Sequence, residues 1–129
     1  TKKQIVRAAL ESVVFQMVVY LEFLQRDNKI ELKNLIVDGG MIKNKLFLQM
    51  IADLLKIEIM VPDIEEMSLY GALLFGIQQQ KNISKLSDLN KFAVKRKTIK
   101  YQENQGIHKS YQNWKKLIDR YFMSNQEKN

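Results

Sequence analysis

The stretch that most constrains this chain is Asn34-Leu-Ile-Val-Asp-Gly-Gly-Met-Ile-Lys-Asn44. Leu35, Ile36 and Val37 form a short apolar run of the kind that makes a buried strand. Gly39 and Gly40 follow at once, and then Ile42, Phe47, Leu48, Ile51, Leu54 and Leu55 recur at helical spacing. The order is strand, glycine corner, helix. Such a corner leaves backbone N–H groups open at a helix start, where a phosphate or other anion can sit. Glycine suits it because it accepts positive φ and lets a ligand approach the backbone. Asn44 lies one helical turn past Gly40, so its amide is expected to face the same opening. The commoner use of two glycines in this position is simply to turn the chain.

Elements on either side set the architecture. Residues 2 to about 25 form a first helix with apolar residues around much of its circumference, expected to be covered on most sides. Glu11 and Gln16 within it read as partnered or edge polar groups, and Arg26-Asp-Asn-Lys29 as a closing turn. Asp38 ends the first strand and is expected to hold the turn or cap the next helix. That helix spans about 43–55; Gln49 and Asp53 share a face four residues apart and read as a surface pair. A second strand, 57–61, stops at Pro62, which cannot donate to a central ladder. A third helix starts near 66–68 and reaches Gln80. Its Gly71, Ala72 and Gly76 predict close packing against a sheet or another backbone, which would offset the roughly 1 kcal/mol that glycine costs within a helix. Two strands joined by a helix imply a parallel pair with a right-handed crossover.

The charge is uneven. Residues 1–80 carry 9 Lys+Arg against 10 Asp+Glu, and residues 81–129 carry 12 against 4, so the whole excess of the +7 chain lies in the tail. The tail's lysines are scattered among apolar residues, the pattern of a solvated face rather than of a nucleic-acid-binding run. Within it Phe92, Val94, Ile99 and Tyr101 make a short strand or lie on the core. Ile107, Tyr111, Trp114, Leu117, Ile118, Tyr121 and Phe122 mark an amphipathic closing helix. Residues 124–129 read as a frayed polar end. His108 is the one histidine and there is no cysteine, which excludes a disulfide framework and a thiolate metal site. No signal peptide is visible. The most apolar stretch, Val13 to Leu24, falls short of the roughly 20 residues of a membrane span and is expected to be a buried helix. The chain begins at Thr1 without an initiator Met and reads as a piece of a longer protein.

Taken in order, Val37-Asp-Gly-Gly-x-x-x-Asn44, Gln49 with Ala52-Asp53, Val61-Pro62 and Ser68-Leu-Tyr-Gly71-Ala72 resemble the C-terminal domain of the FGGY carbohydrate kinases, in their glycerol kinase branch. Arg7-Ala-x-Leu-Glu-Ser-Val13 and Tyr111-x-x-Trp114 extend the likeness to both ends. The resemblance implies an α/β domain with a partial ribonuclease-H-like fold of the actin/Hsp70 ATPase type, its helices packed on a small parallel sheet. Three antiparallel strands expected before the first helix are missing, so the copy is expected to be incomplete, to be completed by the tail or by dimerisation. The expected division is one domain over 1–129: a core over 1–80 and a basic tail with its closing helix over 81–129.

The resemblance also implies a function: an ATP-dependent cytoplasmic kinase moving the γ-phosphoryl group to a sugar or polyol hydroxyl. Gly39 and Gly40 would border the phosphates and Asn44 would reach the adenine end. Ser68 and Gly71 would shape the wall. The catalytic aspartate, the Mg2+ ligands and the sugar site would lie in a domain not present here, leaving this chain inactive alone and no catalytic or metal-binding residue within it. The expected partners are ATP, the sugar or polyol and a further copy of the chain, with no membrane and no nucleic acid. Two departures stand out: Val61 where the branch often has Arg before the proline, and Leu73-Leu-Phe75 where it has an alanine-rich run. They leave a pentulose kinase, of xylulose or ribulose type, as the nearest rival. A non-catalytic interaction module using the basic tail ranks below both; its binding would be steeply salt-dependent. A sugar-kinase homologue turned regulator is a third reading that this part of a molecule does not separate.

Overall fold

The computed structural model describes the chain apart from residues 65, 82, 84 and 127–129, with backbone alone at 86 and 122–126. The elements run in the order α1 (Lys2–Asn28), β1 (Asn34–Ile36), a 3-10 turn (Gly40–Lys43), α2 (Lys45–Leu55), β2 (Glu58–Pro62), α3 (Met67–Gln80), a second 3-10 segment (Leu86–Phe92), β3 (Arg96–Ile99) and α4 (Gln105–Gln126).

The sheet has the order β1-β2-β3. β1 lies parallel to β2, with Leu35 opposite Ile59, as a strand–helix–strand unit requires. β3 comes from the basic tail and runs antiparallel to β2, with Ile59 opposite Ile99 and Pro62 opposite Arg96. The sheet is therefore mixed, not the wholly parallel one expected: the tail adds a strand from the other direction. Pro62 closes β2 as the last residue of the strand, and the next N–H, of Asp63, donates to the Lys95 carbonyl at 2.8 Å. The outer strands differ. β3 presents Arg96 and Lys97, both exposed, whereas β1 presents Ile36, also exposed.

α2 is the centre of the core. Phe47, Leu48, Met50, Ile51, Ala52 and Leu54 are all buried on its eleven residues. A helix apolar on this many sides must be covered on as many: α1, α4, β2 and β3 all pack against it. Val14, Phe15 and Val18 of α1, Ile57 and Ile59 beside the sheet, and Ile107 and Tyr111 of α4 complete the cluster. Phe15 sits 5.4 Å from the Tyr111 ring and 5.6 Å from the Trp114 ring, an aromatic knot that fastens the tail to the first helix.

Burial of α1 differs from expectation. Its buried stripe is Val14, Phe15 and Val18, while Ile5, Val6, Tyr20 and Phe23 are exposed. The apolar residues are present all round, but the described chain offers neighbours on one side. By length and composition alone α1 is apolar enough to cross a membrane, yet Val14, Phe15 and Val18 are docked in the core. The helix also runs three residues beyond the expected end at 25, because Lys29 rather than the preceding polar residues makes the turn, in a left-handed conformation at φ 52°. Lys56 closes α2 in the same way at φ 54°.

α3 buries no residue. Leu69 and Phe75 are 70% and 63% exposed. A Cβ built at Gly71 or Gly76 meets nothing within 4 Å. The expected close packing around these glycines is thus absent within the described residues. The closing helix α4 uses the first half of its stripe; Ile107 and Tyr111 are buried, whereas Leu117 and Tyr121 are exposed. The expected polar end at 124–129 is helical in its backbone as far as Gln126, while the side chains of 122–126 and all of 127–129 lie outside the described residues.

Candidate functional site

The ladder between β1 and β2 continues one bond past β1, where the Val37 N–H donates to the Met60 carbonyl at 3.1 Å. The chain then leaves the sheet at Asp38. Gly39 takes φ 100° and ψ 177°, a backbone state essentially closed to side-chain-bearing residues. The helix expected over about 43–55 starts at Lys45. Gly40–Lys43 winds as a 3-10 turn, with Ile42 N–H on the Gly39 carbonyl at 3.2 Å and Asn44 N–H on the Met41 carbonyl at 3.0 Å. Asn44 resets the chain at φ −88°, ψ 95° and caps α2, its side-chain oxygen accepting the Phe47 N–H at 3.1 Å. The cap expected of Asp38 therefore belongs to Asn44; Gly39 holds the capping position of the 3-10 turn without a side chain to bond.

The corner is open. Gly39 and Gly40 are exposed, and a Cβ at either meets nothing within 4 Å. The first N–H groups of any helical turn lack partners within it, those at 40 and 41 included. Asp38, Gly39, Gly40 and Lys43 line a recess of about 270 Å³ closed opposite by Glu66 and Ser68. Ser68 sits in the first turn of α3, while Glu66 occupies its cap position. Two acids against one lysine make the recess slightly acidic. Carboxylates in such a lining can accept from hydroxyl groups.

Asn44 stands on the other side of the turn. It lines a separate, shallower recess of about 530 Å³ with Leu46 and with Lys3, Val6, Arg7 and Leu10 of α1. The structure thus groups Gly39, Gly40 and Ser68, sets Asn44 across the 3-10 turn, and leaves Gly71 outside both recesses. Among the described residues no group of three or more His, Cys, Asp or Glu could hold a metal ion.

A polar centre that the sequence did not announce lies at the end of α2. Asp53 is 2% exposed, the one buried charged residue among those described. It is not the surface partner expected of Gln49. Gln49 Nε2 donates to Asp53 Oδ1 at 2.7 Å and to the Lys100 carbonyl at 2.9 Å. The backbone N–H of Gln102 reaches the same Oδ1 at 2.8 Å, Asn104 Nδ2 lies 3.5 Å from Oδ2, and His108 Nε2 sits 3.1 Å from the Asp53 carbonyl. The four-residue spacing of Gln49 and Asp53, set amid apolar neighbours, was the available signal. Its tail partners lie some 50 residues away, beyond any local pattern.

Comparison with known proteins follows the same outline. The family model described as the FGGY family of carbohydrate kinases, C-terminal domain, matches residues 1–79. A glycerol kinase of Alkaliphilus metalliredigens is 35% identical over 92% of the chain, and one of Staphylococcus haemolyticus is 32% identical over 92%. The chain spans 24% of the length of each. The crystal structure of Plasmodium falciparum glycerol kinase with ADP superposes with a TM-score of 0.73 at 28% identity, over 89% of this chain and 23% of that one. Sequence and fold agree: this chain belongs to the FGGY family of carbohydrate kinases, and what it matches there is the C-terminal domain.

Proposed function

We propose that the chain forms the adenosine side of the nucleotide cleft in an ATP-dependent, glycerol kinase-like enzyme that transfers the γ-phosphoryl group of ATP to a polyol hydroxyl. The observation that carries this reading is the exposed corner at Gly39 and Gly40, where the backbone is bare of side chains and one residue holds a φ reserved for glycine. Phosphoryl transfer asks the protein mainly for positioning and charge stabilisation, and a fixed main-chain corner can position a phosphate chain without a cationic side chain. In this reading the N–H groups at 40 and 41 border the phosphates, and Glu66 or Asp38 accepts from ribose hydroxyls. Because the Asn44 oxygen is engaged by Phe47, its NH2 is the group that meets the adenine end, as a donor. The solved relative that supports the fold was crystallised with ADP.

The same proposal assigns the sugar site, the catalytic base and the Mg2+ ligands to the remainder of a longer kinase. The curated relatives are about four times the chain's length, in keeping with that division. The proposed unit is one domain over 1–129, working in the cytoplasm. Val61 and Leu73-Leu-Phe75 keep a pentulose as the rival acceptor.

Titration of ADP into the chain, followed by the amide NMR signals of residues 39–44, tests the reading. Weak, saturable binding with shifts centred on Gly39, Gly40 and Asn44 is the expected result, because half a cleft desolvates half a ligand. Absence of shifts there at saturating ADP overturns the site. Micromolar affinity overturns the half-cleft argument.

A further inference from the structure

A third opening lies beside the corner, lined in part by β3. It encloses about 570 Å³, within the range of small-molecule sites. Leu48 of α2, Val61 of β2 and Ile99 of β3 supply an apolar floor. Lys45, Lys97 and Lys43 stand at its margin. Asp63 is the one acid lining it among the described residues, and its carboxylate is 3.0 Å from the Lys97 ammonium. Lys45 is moreover the first residue of α2, so the positive end of that helix adds to the cationic side. An apolar floor beneath three lysines and one acid keeps a net positive charge and is complementary to a molecule with an apolar body and an anionic head, with Lys97 shared between Asp63 and that head. A neutral apolar ligand would leave the rim unused, and a naked anion would leave the floor wet.

We infer that this groove binds a small amphipathic anion: an apolar chain or ring lying on Leu48, Val61 and Ile99, with a phosphate or carboxylate held by Lys45 and Lys97. The groove is distinct from the recess of the glycine corner, with which it shares Ile42 and Lys43. The assignment does not depend on nucleotide binding there, and its test does not use ADP.

The test titrates octyl phosphate, octanoate and neutral octanol into the 15N-labelled chain below their micelle concentrations. Saturable shifts at the amides of Leu48, Val61 and Ile99 are expected, with at least one anion binding about tenfold more tightly than octanol. The tighter of the two anions identifies the head group. Exchange of Lys45→Glu together with Lys97→Glu, both exposed residues, is expected to weaken the anions about tenfold and to leave octanol unaffected, with an unchanged melting temperature showing that the fold survives. Equal binding of octanol and both anions, shifts centred on Leu69 and Leu73 of α3, or titrations that never saturate would each overturn the site.

Discussion

The backbone N–H of Gln102 donates to Asp53 Oδ1 at 2.8 Å, across 49 positions of sequence. This bond and its neighbours convert a loose basic tail into part of the fold. With Gln49 bridging Asp53 and the Lys100 carbonyl, the segment 100–104 is laid against the end of α2, and α4 starts from there. Replacing Asp53 with Ala leaves the Gln102 N–H without its acceptor and the Gln49 amide with the Lys100 carbonyl alone. We expect Asp53→Ala to cost about 2–3 kcal/mol and Asp53→Asn, which keeps one oxygen, about 1 kcal/mol. Urea denaturation of the two variants measures both, and equal losses would show that the shape and single oxygen kept by Asn do not serve in place of the carboxylate.

Tyr111 gives the chain an alkaline limit. Burial holds its phenol well above the ordinary value of 10.0, and the hydrogen bond its hydroxyl donates to Glu22 at 2.8 Å, with the charge of that carboxylate, pushes it further in the same direction. The folded chain therefore keeps the proton at a pH where the unfolded chain has lost it. Stability is full below pH 10 and falls as pH rises beyond it. Melting curves from pH 9 to 11.5 should show this decline, and Tyr111→Phe should flatten it at the cost of a lower starting stability.

The two glycines of the corner are predicted to separate conformation from access. Gly39→Ala forces a side chain into φ 100° and should cost about 1–3 kcal/mol. Gly40→Ala has free space and ordinary torsions, so it should leave the melting temperature nearly unchanged while weakening ADP. A Gly40→Ala chain that binds ADP as well as the parent would argue against phosphates at this position.

Asn44 permits the same separation between a cap and a ligand contact. Asp at this position also caps helices, so Asn44→Asp should hold the stability of α2, whereas Asn44→Ala should lose about 1 kcal/mol. Asp has no NH2 to offer, and the proposed contact with the adenine end predicts weaker ADP binding in both variants. Calorimetry alongside thermal melts distinguishes the two effects.

Two helices close on lysines in the left-handed region, Lys29 at φ 52° and Lys56 at φ 54°. Non-glycine residues pay about 1–2 kcal/mol there. Lys56→Gly should raise stability by a fraction of that, offset by the larger entropy of glycine in the unfolded chain. A rise in the urea midpoint without a change in slope is the expected readout.

What could be read from the amino acids alone followed distance along the chain. The strand–glycine–helix corner and the parallel β1–β2 pair depend on residues within about 30 positions of each other, and their patterns were visible. Asn44 was visible too, but as a ligand contact. Its capping role depends on the break at Lys43, which hydrophobic spacing does not register. The burial of Asp53 was hidden because the N–H of Gln102 and the amide of Asn104 reach it from the tail. The exposed flank of α1 was hidden for the opposite reason: Ile5, Val6 and Phe23 advertise neighbours that the described chain does not supply.

The contrast between the two outer strands gives the sheet a direction of growth. Alongside β3, the guanidinium and ammonium of Arg96 and Lys97 discourage any newcomer from docking edge to edge. Alongside β1, Asn34-Leu-Ile36 offers three residues of unclaimed ladder with no charge to deter pairing. Sheet extension, whether legitimate or aberrant, has one welcoming border, and self-association of the isolated chain would begin there.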